Sequence, residues 1–230
     1  MNDGIDRERL LEFLGFGNPQ AEAVFIGMEE GLTVPPPLEE QLVIRSGFAP
    51  FMDLHESAKE HPERFLSGER PPIQPTWNPI IRVLLALEGN LAPTPDEIRA
   101  YQRDRLGRAT ERGALLEFLP LPAKGLREWP YGEIFPEFPT REVYREIIDA
   151  ERIRRLKKHL EYGPRLIVAY GAGYWASYKK LFEPTVPWRA HDPFETVDVG
   201  PTRVILTPHF TSRQMNDQRD TLSGLALRRH

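Results

Sequence analysis

Four short apolar runs stand out along the chain, each five or six residues long and none alternating with polar positions. Such runs are typical of strands that are buried on both faces of a parallel sheet. Amphipathic segments lie before or between them, which predicts an α/β fold: a three-layer α/β/α sandwich with a central four-stranded parallel sheet. The predicted strands are 23–28, 114–119, 165–170 and 203–207, and the predicted helices are 5–14, 79–87, 96–106, 141–160 and 174–182.

Proline-rich segments follow the first two predicted strands. The segment 33–112 is too long for one crossover, which predicts an insertion of short helices and stiff turns within a single domain spanning 1–230. A second segment rich in proline and aromatic residues, 120–139, follows the second strand. Because ligands bind beyond the carboxyl ends of parallel strands, we expect both segments to wall a pocket.

Composition narrows the class of protein. The 230 residues include no Cys, which excludes disulfides, thiolate zinc sites and Cys-ligated iron–sulfur clusters. No apolar run approaches the roughly 20 residues that span a bilayer, and the acidic N-terminus lacks the pattern of a secretory signal. We therefore expect a cytoplasmic, monomeric protein with no membrane partner. No GxGxxG or GxxxxGK[ST] pattern follows a predicted strand, so nucleoside-triphosphate chemistry is not expected.

Charge is distributed unevenly along the chain. The net charge of −4 argues against broad binding of polyanions. Positions 1–40 hold nine acidic residues and two Arg, whereas positions 201–230 hold five Arg and two Asp. The C-terminal end is therefore the part that we expect to face phosphate, if any part does.

Two polar motifs follow the first and fourth predicted strands. GMEEG at 27–31 places two adjacent carboxylates at a glycine-flanked strand end, although a solvated loop is the plainer interpretation of this motif alone. PHFTSR at 208–213 supplies an imidazole, two hydroxyls and a guanidinium. Because the carboxyl ends of parallel strands share one edge of the sheet, we expect Glu29 and His209 to meet across one cavity.

These motifs resemble those of the uracil-DNA glycosylase superfamily. FIGMEEG at 25–31 is similar to its water-activating motif, and HFTSR at 209–213 is similar to its His-Pro-Ser motif. The strongest likeness is to the single-strand-selective monofunctional branch, whose first motif reads Gly-Met-Asn-Pro-Gly. The chain departs from the family in having Glu29 for Asp or Asn, Glu30 and Phe210 for Pro, and Glu117 for the Asn that reads the base edge.

The resemblance implies one domain of that fold and a role in DNA repair by base excision. Such a protein hydrolyses the N-glycosidic bond of uracil or another deaminated or damaged base in single- or double-stranded DNA, without a cofactor or metal. Glu29, with Glu30 as the alternative, would hold the attacking water and stabilise the cationic sugar. His209 would donate a hydrogen bond to the base oxygen on which negative charge develops.

The resemblance also implies contacts to the base and to DNA. A Pro-Phe pair in the iron–sulfur branch supplies a ring that stacks on the base, and Pro50-Phe51 resembles it. The residues implied at the base are Gly27, Met28, Phe51 and Glu117, with Asn78 as an alternative reader of the base edge. The residues implied at the DNA are Thr211, Ser212, Arg213 and Met215, the last as a wedge that fills the vacated stack.

Several of these positions allow a structural interpretation. Phe51 lies three residues after Phe48, a spacing that also suits a buried helix face. Asn78 precedes Pro79, which is typical of a helix N-cap. An ionised Glu117 accepts hydrogen bonds but cannot donate one, so it suits uracil only if burial keeps it protonated.

Two clusters favour structural roles. The basic run at 152–158, with Arg152, Arg154, Arg155, Lys157 and Lys158, is typical of a solvated helix face, with DNA contact as the alternative. His55 and His61 are six residues apart and fall off one helical face, so we predict no metal site.

Two other functions remain open. The first is a catalytically silent protein of this fold that binds nucleic acid or a partner. The second is a hydrolase of a small nucleoside-like substrate, which the acidic N-terminal half favours.

Overall fold

A computed structural model describes residues 4–32, 36–60, 65–125, 128–184 and 186–228. Within these residues eight strands form one mixed sheet in the order β3-β1-β4-β2-β5-β8-β7-β6. The strands are β1 Gly15–Gly17, β2 Ala23–Gly27, β3 Phe51–Met52, β4 Gly113–Glu117, β5 Leu166–Tyr170, β6 Arg189–His191, β7 Phe194–Val199 and β8 Thr202–Thr207.

The four predicted strands are confirmed as the parallel centre of the sheet, β4-β2-β5-β8. The prediction of a purely parallel, four-stranded sheet is wrong, because β1 pairs antiparallel with β4 and β7 pairs antiparallel with β8. The added strands form the two edges. Three of them are only two or three residues long, and β7 alternates only partly between buried and half-buried positions, so none carries a continuous apolar run.

The helices flank this sheet. Their bounds are α1 Arg7–Glu12, α2 Leu38–Ser46, α3 Leu54–Glu60, α4 Trp77–Leu87, α5 Pro95–Asp104, α6 Arg141–Leu160, α7 Trp175–Lys179 and α8 Arg219–Leu227. The prediction for 141–160 matches α6, which begins after Thr140, whose side chain accepts from the amide of Val143. The predicted helix 174–182 is instead a 3-10 turn, Ala172–Tyr174, followed by the short α7.

Alternate residues of the central strands feed two separate cores. On β2, Val24 and Ile26 pack in a core with side chains of α1 and α6, whereas Ala23 and Phe25 pack in a core with side chains of α4, α5 and α8. The segment between β2 and β4 is therefore part of the core, because its helix α4 buries an apolar face against the sheet. Residues 33–35 and 61–64 of that segment, His61 included, lie outside the described residues.

The prediction of a solvated face for the basic run 152–158 is wrong at Arg152. Its side chain is 2% exposed and donates to the backbone oxygens of Phe118 and Glu117, at 2.9 and 2.6 Å. The exposed positions of the run, Arg154 and Lys158, do follow the predicted solvated face. No helix among the described residues has the length and apolar character to cross a bilayer.

Candidate active site

A cavity of about 460 Å³ lies at the carboxyl ends of the parallel strands. The ends of β2, β4 and β5 and the loop after β8 contribute Met28, Glu29, Glu30, Glu117, Tyr170 and His209. The two proline-rich segments complete the wall, as expected: α2, α3 and the start of α4 lie on one side, and Ala123, Lys124 and Gly125 lie on another. The acidic motif and the imidazole thus share one cavity.

Glu29 forms a buried ion pair at this cavity. Nη1 of Arg141, the first residue of α6, lies 2.7 Å from Oε1 and 2.5 Å from Oε2 of Glu29, and the side chains of Arg141 and Glu29 are 8% and 6% exposed. Arg141 also donates to the backbone oxygen of Gly125 at 3.0 Å. Burial raises the pKa of Glu29, and the guanidinium of Arg141 opposes the rise. The carboxylate is therefore fixed and charge-compensated.

Glu30 is the more accessible of the two neighbouring carboxylates. Its Oε2 accepts from Nη2 of Arg45, which lies on α2. The side chain of Glu30 is 37% exposed, whereas that of Arg45 is 11% exposed and its guanidinium lies 5.9 Å from the ring centre of Phe48. Glu30 can therefore contact a molecule in the cavity while its charge remains paired.

Glu117 ends β4 directly opposite Gly27 in the β2–β4 ladder. The residue is 9% exposed, and its Oε2 has no hydrogen-bond partner among the described residues. A Cβ on Gly27 would lie 2.9 Å from this oxygen and 2.5 Å from the hydroxyl of Tyr170. Only glycine leaves room for both groups at this end of the cavity.

His209 is held in one tautomer by the loop that follows β8. Its Nδ1 accepts from the backbone N–H of Thr211 at 3.3 Å and lies 2.8 Å from the Thr211 hydroxyl. Because Nδ1 accepts, the ring proton resides on Nε2. Burial lowers the pKa of His209, which favours the neutral ring. His209 is therefore a neutral hydrogen-bond donor.

Aromatic packing fixes the floor beside His209. Phe210 is 3% exposed and stacks on Tyr170 with ring centres 4.5 Å apart, and Tyr170 meets His209 edge to face at 5.8 Å. Phe210 thus supplies packing where a Pro was expected from the resemblance.

Two residues predicted at the base or the DNA, Phe51 and Met215, lie elsewhere. Phe51 is outside the cavity wall, on β3, and its ring packs against His159 at 4.6 Å, while Phe48 lines the cavity. The wedge assigned to Met215 is wrong, because this residue is 1% exposed and its sulfur accepts from the Thr207 hydroxyl at 3.1 Å.

Asn78 also has a different environment from both predictions made for it. The helix α4 begins at Trp77, so Asn78 lies inside the first turn and is not the N-cap. Its Oδ1 accepts from Nε of Arg82 at 3.0 Å, and it does not line the cavity. Of the two residues predicted to contact the base edge, Glu117 lines the cavity and Asn78 does not.

The residues after His209 remain near the surface. Thr211 and Arg213 are exposed, and the hydroxyl of Ser212 is buried with no partner among the described residues. The described residues contain no group of three or more His, Asp and Glu side chains placed to hold a metal ion.

Sequence reasoning missed Tyr170, Arg45 and Arg141. Tyr170 is the last residue of the predicted strand 165–170, so the rule that placed Glu29 and His209 at one cavity could have selected it too. No local pattern marks the two arginines. Arg141 contacts Glu29, which lies 112 positions away along the chain, and Arg45 contacts Glu30 across the loop before α2.

Comparison of the sequence with protein-family models and with curated proteins finds no match. The evidence for function is therefore the cavity itself and the two motifs that contribute to its wall.

Proposed function

We propose that this cavity hydrolyses the N-glycosidic bond of a nucleotide unit in DNA. The observation that carries the proposal is the joint presence of paired carboxylates and a neutral imidazole at the carboxyl ends of β2 and β8. Helices pack on both faces of the mixed sheet, which supports the three-layer α/β/α sandwich that the resemblance to uracil-DNA glycosylases implies.

Cleavage of this bond separates charge within a few ångströms. The C1′–N bond breaks, the sugar becomes oxocarbenium-like, and the base leaves with the bonding electrons. Water then adds to C1′, and its released proton balances the charge of the base. The site must therefore stabilise a cation on one side and an anion on the other.

His209 suits the anionic side. A neutral ring with its proton on Nε2 can donate a hydrogen bond to a base oxygen without first losing a proton. Such donors contribute about 10²-fold or more to the rate when they are fixed in advance. The bond from Thr211 provides that fixed orientation.

Glu30 suits the cationic side better than Glu29 does. Both oxygens of Glu29 already accept from Arg141 within a buried pair. Glu30 is 37% exposed and can hold a water or contact the sugar. We therefore assign Glu30 as the working carboxylate and Glu29 as the group that anchors Arg141.

DNA reaches such a cavity only with the target base out of the stack. The nucleotide is flipped from a duplex or is met in a single strand. The apolar part of the wall, which includes Phe48 and Trp77, would receive the base. The exposed Thr211 and Arg213 would contact the flanking backbone.

A second candidate is hydrolysis of a free nucleoside. The cations among the described residues that line the cavity are Arg45, which is paired with Glu30, and Lys124, which is paired with Glu128. A wall whose cations are already paired attracts phosphate poorly. This balance favours an uncharged substrate over a polyanion.

The test is an assay for abasic sites. Single- and double-stranded oligonucleotides that carry uracil, hypoxanthine, xanthine or 5-hydroxymethyluracil are incubated with the protein and then treated with alkali. We expect strand breaks with at least one base, reduced about 10²-fold in His209→Ala and in Glu30→Gln. Glu146→Gln, at an exposed position of α6, is the matched control and should keep full activity.

The pH dependence adds a second readout. Because burial lowers the pKa of His209, the ring is neutral at neutral pH. Protonation of Nδ1 removes the acceptor for the Thr211 N–H that orients the ring, so activity should fall as the pH drops through that lowered pKa. Absence of abasic sites with every oligonucleotide would overturn the proposal. Release of base from free nucleosides alone, at a rate independent of salt, would favour the second candidate.

A further inference from the structure

Tyr170 lies between the two motifs of the cavity. It ends β5, which runs between β2 and β8 in the sheet, and it pairs with Thr207 in the β5–β8 ladder. The acidic motif follows β2, and the His209 loop, residues 208–213, follows β8. The hydrolysis proposed above gives Tyr170 no role, although its side chain lines the cavity.

One end of the Tyr170 side chain contacts β2. Its hydroxyl lies 2.5 Å, and its Cζ 2.9 Å, from the point where a Cβ on Gly27 would stand. Non-bonded atoms do not approach a Cβ so closely, so the tip of the ring fills space that only a glycine leaves. Gly27 is the first residue of the acidic motif, and the contact is therefore made where that motif begins.

The same ring holds the His209 loop. Phe210 is buried and stacks on Tyr170, with ring centres 4.5 Å apart and planes inclined by 27°. His209 meets the Tyr170 ring edge to face, at 5.8 Å and 63°. Stacked and edge-to-face arrangements are the preferred geometries of aromatic pairs, so one side chain of β5 packs favourably with two residues of the loop.

The hydrogen bonds around His209 act within the loop. The N–H of Thr211 donates to Nδ1 of His209 at 3.3 Å, and the N–H of Ser212 donates to its backbone oxygen at 2.8 Å. Because donor and acceptor belong to the same loop, these bonds orient the imidazole relative to the loop. The contact with Tyr170 relates the loop to the sheet.

We propose that Tyr170 is a positioning residue: its side chain connects the His209 loop to the end of β2 and so fixes the separation of His209 from the carboxylates of the acidic motif. Such a separation matters because a misplacement of about 1 Å can cost about 10²-fold in rate. The reaction that the separation serves rests on the proposed function, whereas the connection itself does not.

Hydrogen exchange on the full chain tests the connection without turnover. The amide of Ser212, followed by NMR, reports opening of the His209 loop, because its bond to the oxygen of His209 closes that loop. Tyr170→Leu removes the ring and should speed this exchange about 10-fold or more, since local contacts limit local opening. Tyr170→Phe keeps the ring and should stay within about threefold of the wild type.

Tyr101→Leu is the matched control for loss of a buried tyrosine. Tyr101 lies on α5, and its ring packs against the guanidinium of Arg105 at 4.4 Å. The variant should lose stability as Tyr170→Leu does, yet leave the exchange of Ser212 unchanged, because local opening does not require global unfolding.

A substitution on β2 tests whether the connection crosses the sheet. Gly27→Ala places a Cβ against the Tyr170 hydroxyl and should speed exchange at Ser212, although Gly27 is not part of the His209 loop. In the Tyr170→Leu background the same substitution should add no further acceleration, since residues that act through one contact are not additive.

Four outcomes would overturn the inference. The wild-type Ser212 amide exchanges as in an unstructured chain, Tyr170→Leu exchanges as the wild type does, Tyr101→Leu accelerates Ser212 equally, or Gly27→Ala acts equally in both backgrounds.

The assay for abasic sites separates this failure from failure of the hydrolysis. In a single turnover, the rate of abasic-site formation should fall about 10-fold or more in Tyr170→Leu and recover in Tyr170→Phe. Abasic sites together with unchanged exchange in Tyr170→Leu would overturn the inference alone. Faster exchange in Tyr170→Leu, with no abasic site from any oligonucleotide, would overturn the hydrolysis alone.

Discussion

Two buried carboxyl groups lie on one cavity, and only one of them has a guanidinium as its hydrogen-bond partner. Glu29, just beyond β2, accepts from the guanidinium of Arg141, while Glu117, at the end of the neighbouring β4, has an oxygen with no partner among the described residues. Burial raises the pKa of both, but only at Glu29 does an ion pair oppose the rise directly.

The difference shows how one cavity can hold two kinds of acid. A carboxylate that is buried with a guanidinium stays ionised because the pair offsets its desolvation. A carboxyl group that is buried without one keeps its proton. Glu29 and Glu117 both lie at the cavity because they follow or end neighbouring parallel strands. Their charges differ because only Glu29 has a guanidinium partner.

The largest effect should follow from removing the partner of Glu29. Arg141→Met leaves a buried, uncompensated carboxylate, and we expect a loss of about 3–5 kcal/mol in the free energy of unfolding. Urea denaturation measures this loss. Arg154→Met, at an exposed position of the same helix, should change stability by less than about 0.5 kcal/mol.

A double variant identifies the cause of that loss. Adding Glu29→Gln to Arg141→Met removes the stranded charge and should recover much of the stability. If the double variant is as unstable as Arg141→Met, the loss comes instead from the bonds that Arg141 makes to the backbone oxygens of Gly125 and Glu128.

The second-largest loss of stability should follow from adding a Cβ at Gly27, beside Glu117. In Gly27→Ala the new Cβ meets the Tyr170 hydroxyl and Glu117 Oε2 at 2.5 and 2.9 Å, so one of them must shift. We expect a loss of about 1–3 kcal/mol in the free energy of unfolding, the usual range for overpacking, which urea denaturation measures.

Gly224→Ala provides the matched control for this prediction. Gly224 lies within α8, where a Cβ has open space, so the substitution should be neutral or stabilise the protein by about 0.5–1 kcal/mol. Equal effects of the two substitutions would contradict the conclusion that only glycine at position 27 leaves room for Glu117 and Tyr170.

Glu117→Gln tests the charge state of the second acid through pH. With its folded pKa raised, Glu117 binds its proton more tightly in the folded state than in the unfolded state, so its contribution is most favourable below its unfolded pKa and falls as pH rises toward the folded pKa. The Gln variant lacks this titration. Its free energy of unfolding relative to the wild type should therefore increase as pH rises through that window.

Thermal unfolding across the acid and neutral range measures the difference. Glu146→Gln, at an exposed position, should run parallel to the wild type. Parallel profiles for Glu117→Gln and the wild type would mean that Glu117 titrates normally, and the distinction between the two acids would be lost.

The parts of this picture that the sequence predicts are those set by continuous local patterns. Uninterrupted apolar runs identified the four central strands, because strands buried on both faces have no polar positions to interrupt them. The carboxyl ends of parallel strands meet at one edge, and this rule placed Glu29, Glu30 and His209 at one cavity, whereas Glu117 was predicted only through the resemblance.

The rest depends on tertiary contacts that leave no local pattern. Phe51 and Met215 are apolar residues near polar motifs, and their own sequence neighbours do not show whether they face a cavity or a core. In the fold Phe51 packs against His159, and Met215 accepts a hydrogen bond from Thr207. Edge strands of two or three residues are too short to show a period. The partner of Glu29, Arg141, likewise lies far along the chain, on α6. The sequence therefore did not show which acid has a guanidinium partner and which does not.

Glu30 should give the smallest effect on stability and the clearest separation of stability from activity. It pairs with Arg45 but is 37% exposed, so solvent screens the pair, and Glu30→Gln should change the free energy of unfolding by less than about 1 kcal/mol. Its loss of abasic-site formation should nevertheless be about 10²-fold. Glu29→Gln makes the opposite comparison, since it breaks a buried pair and should destabilise the protein more than Glu30→Gln does. Urea denaturation and the abasic-site assay on both variants check this, and a Glu30→Gln protein with full activity would move the catalytic role back to Glu29.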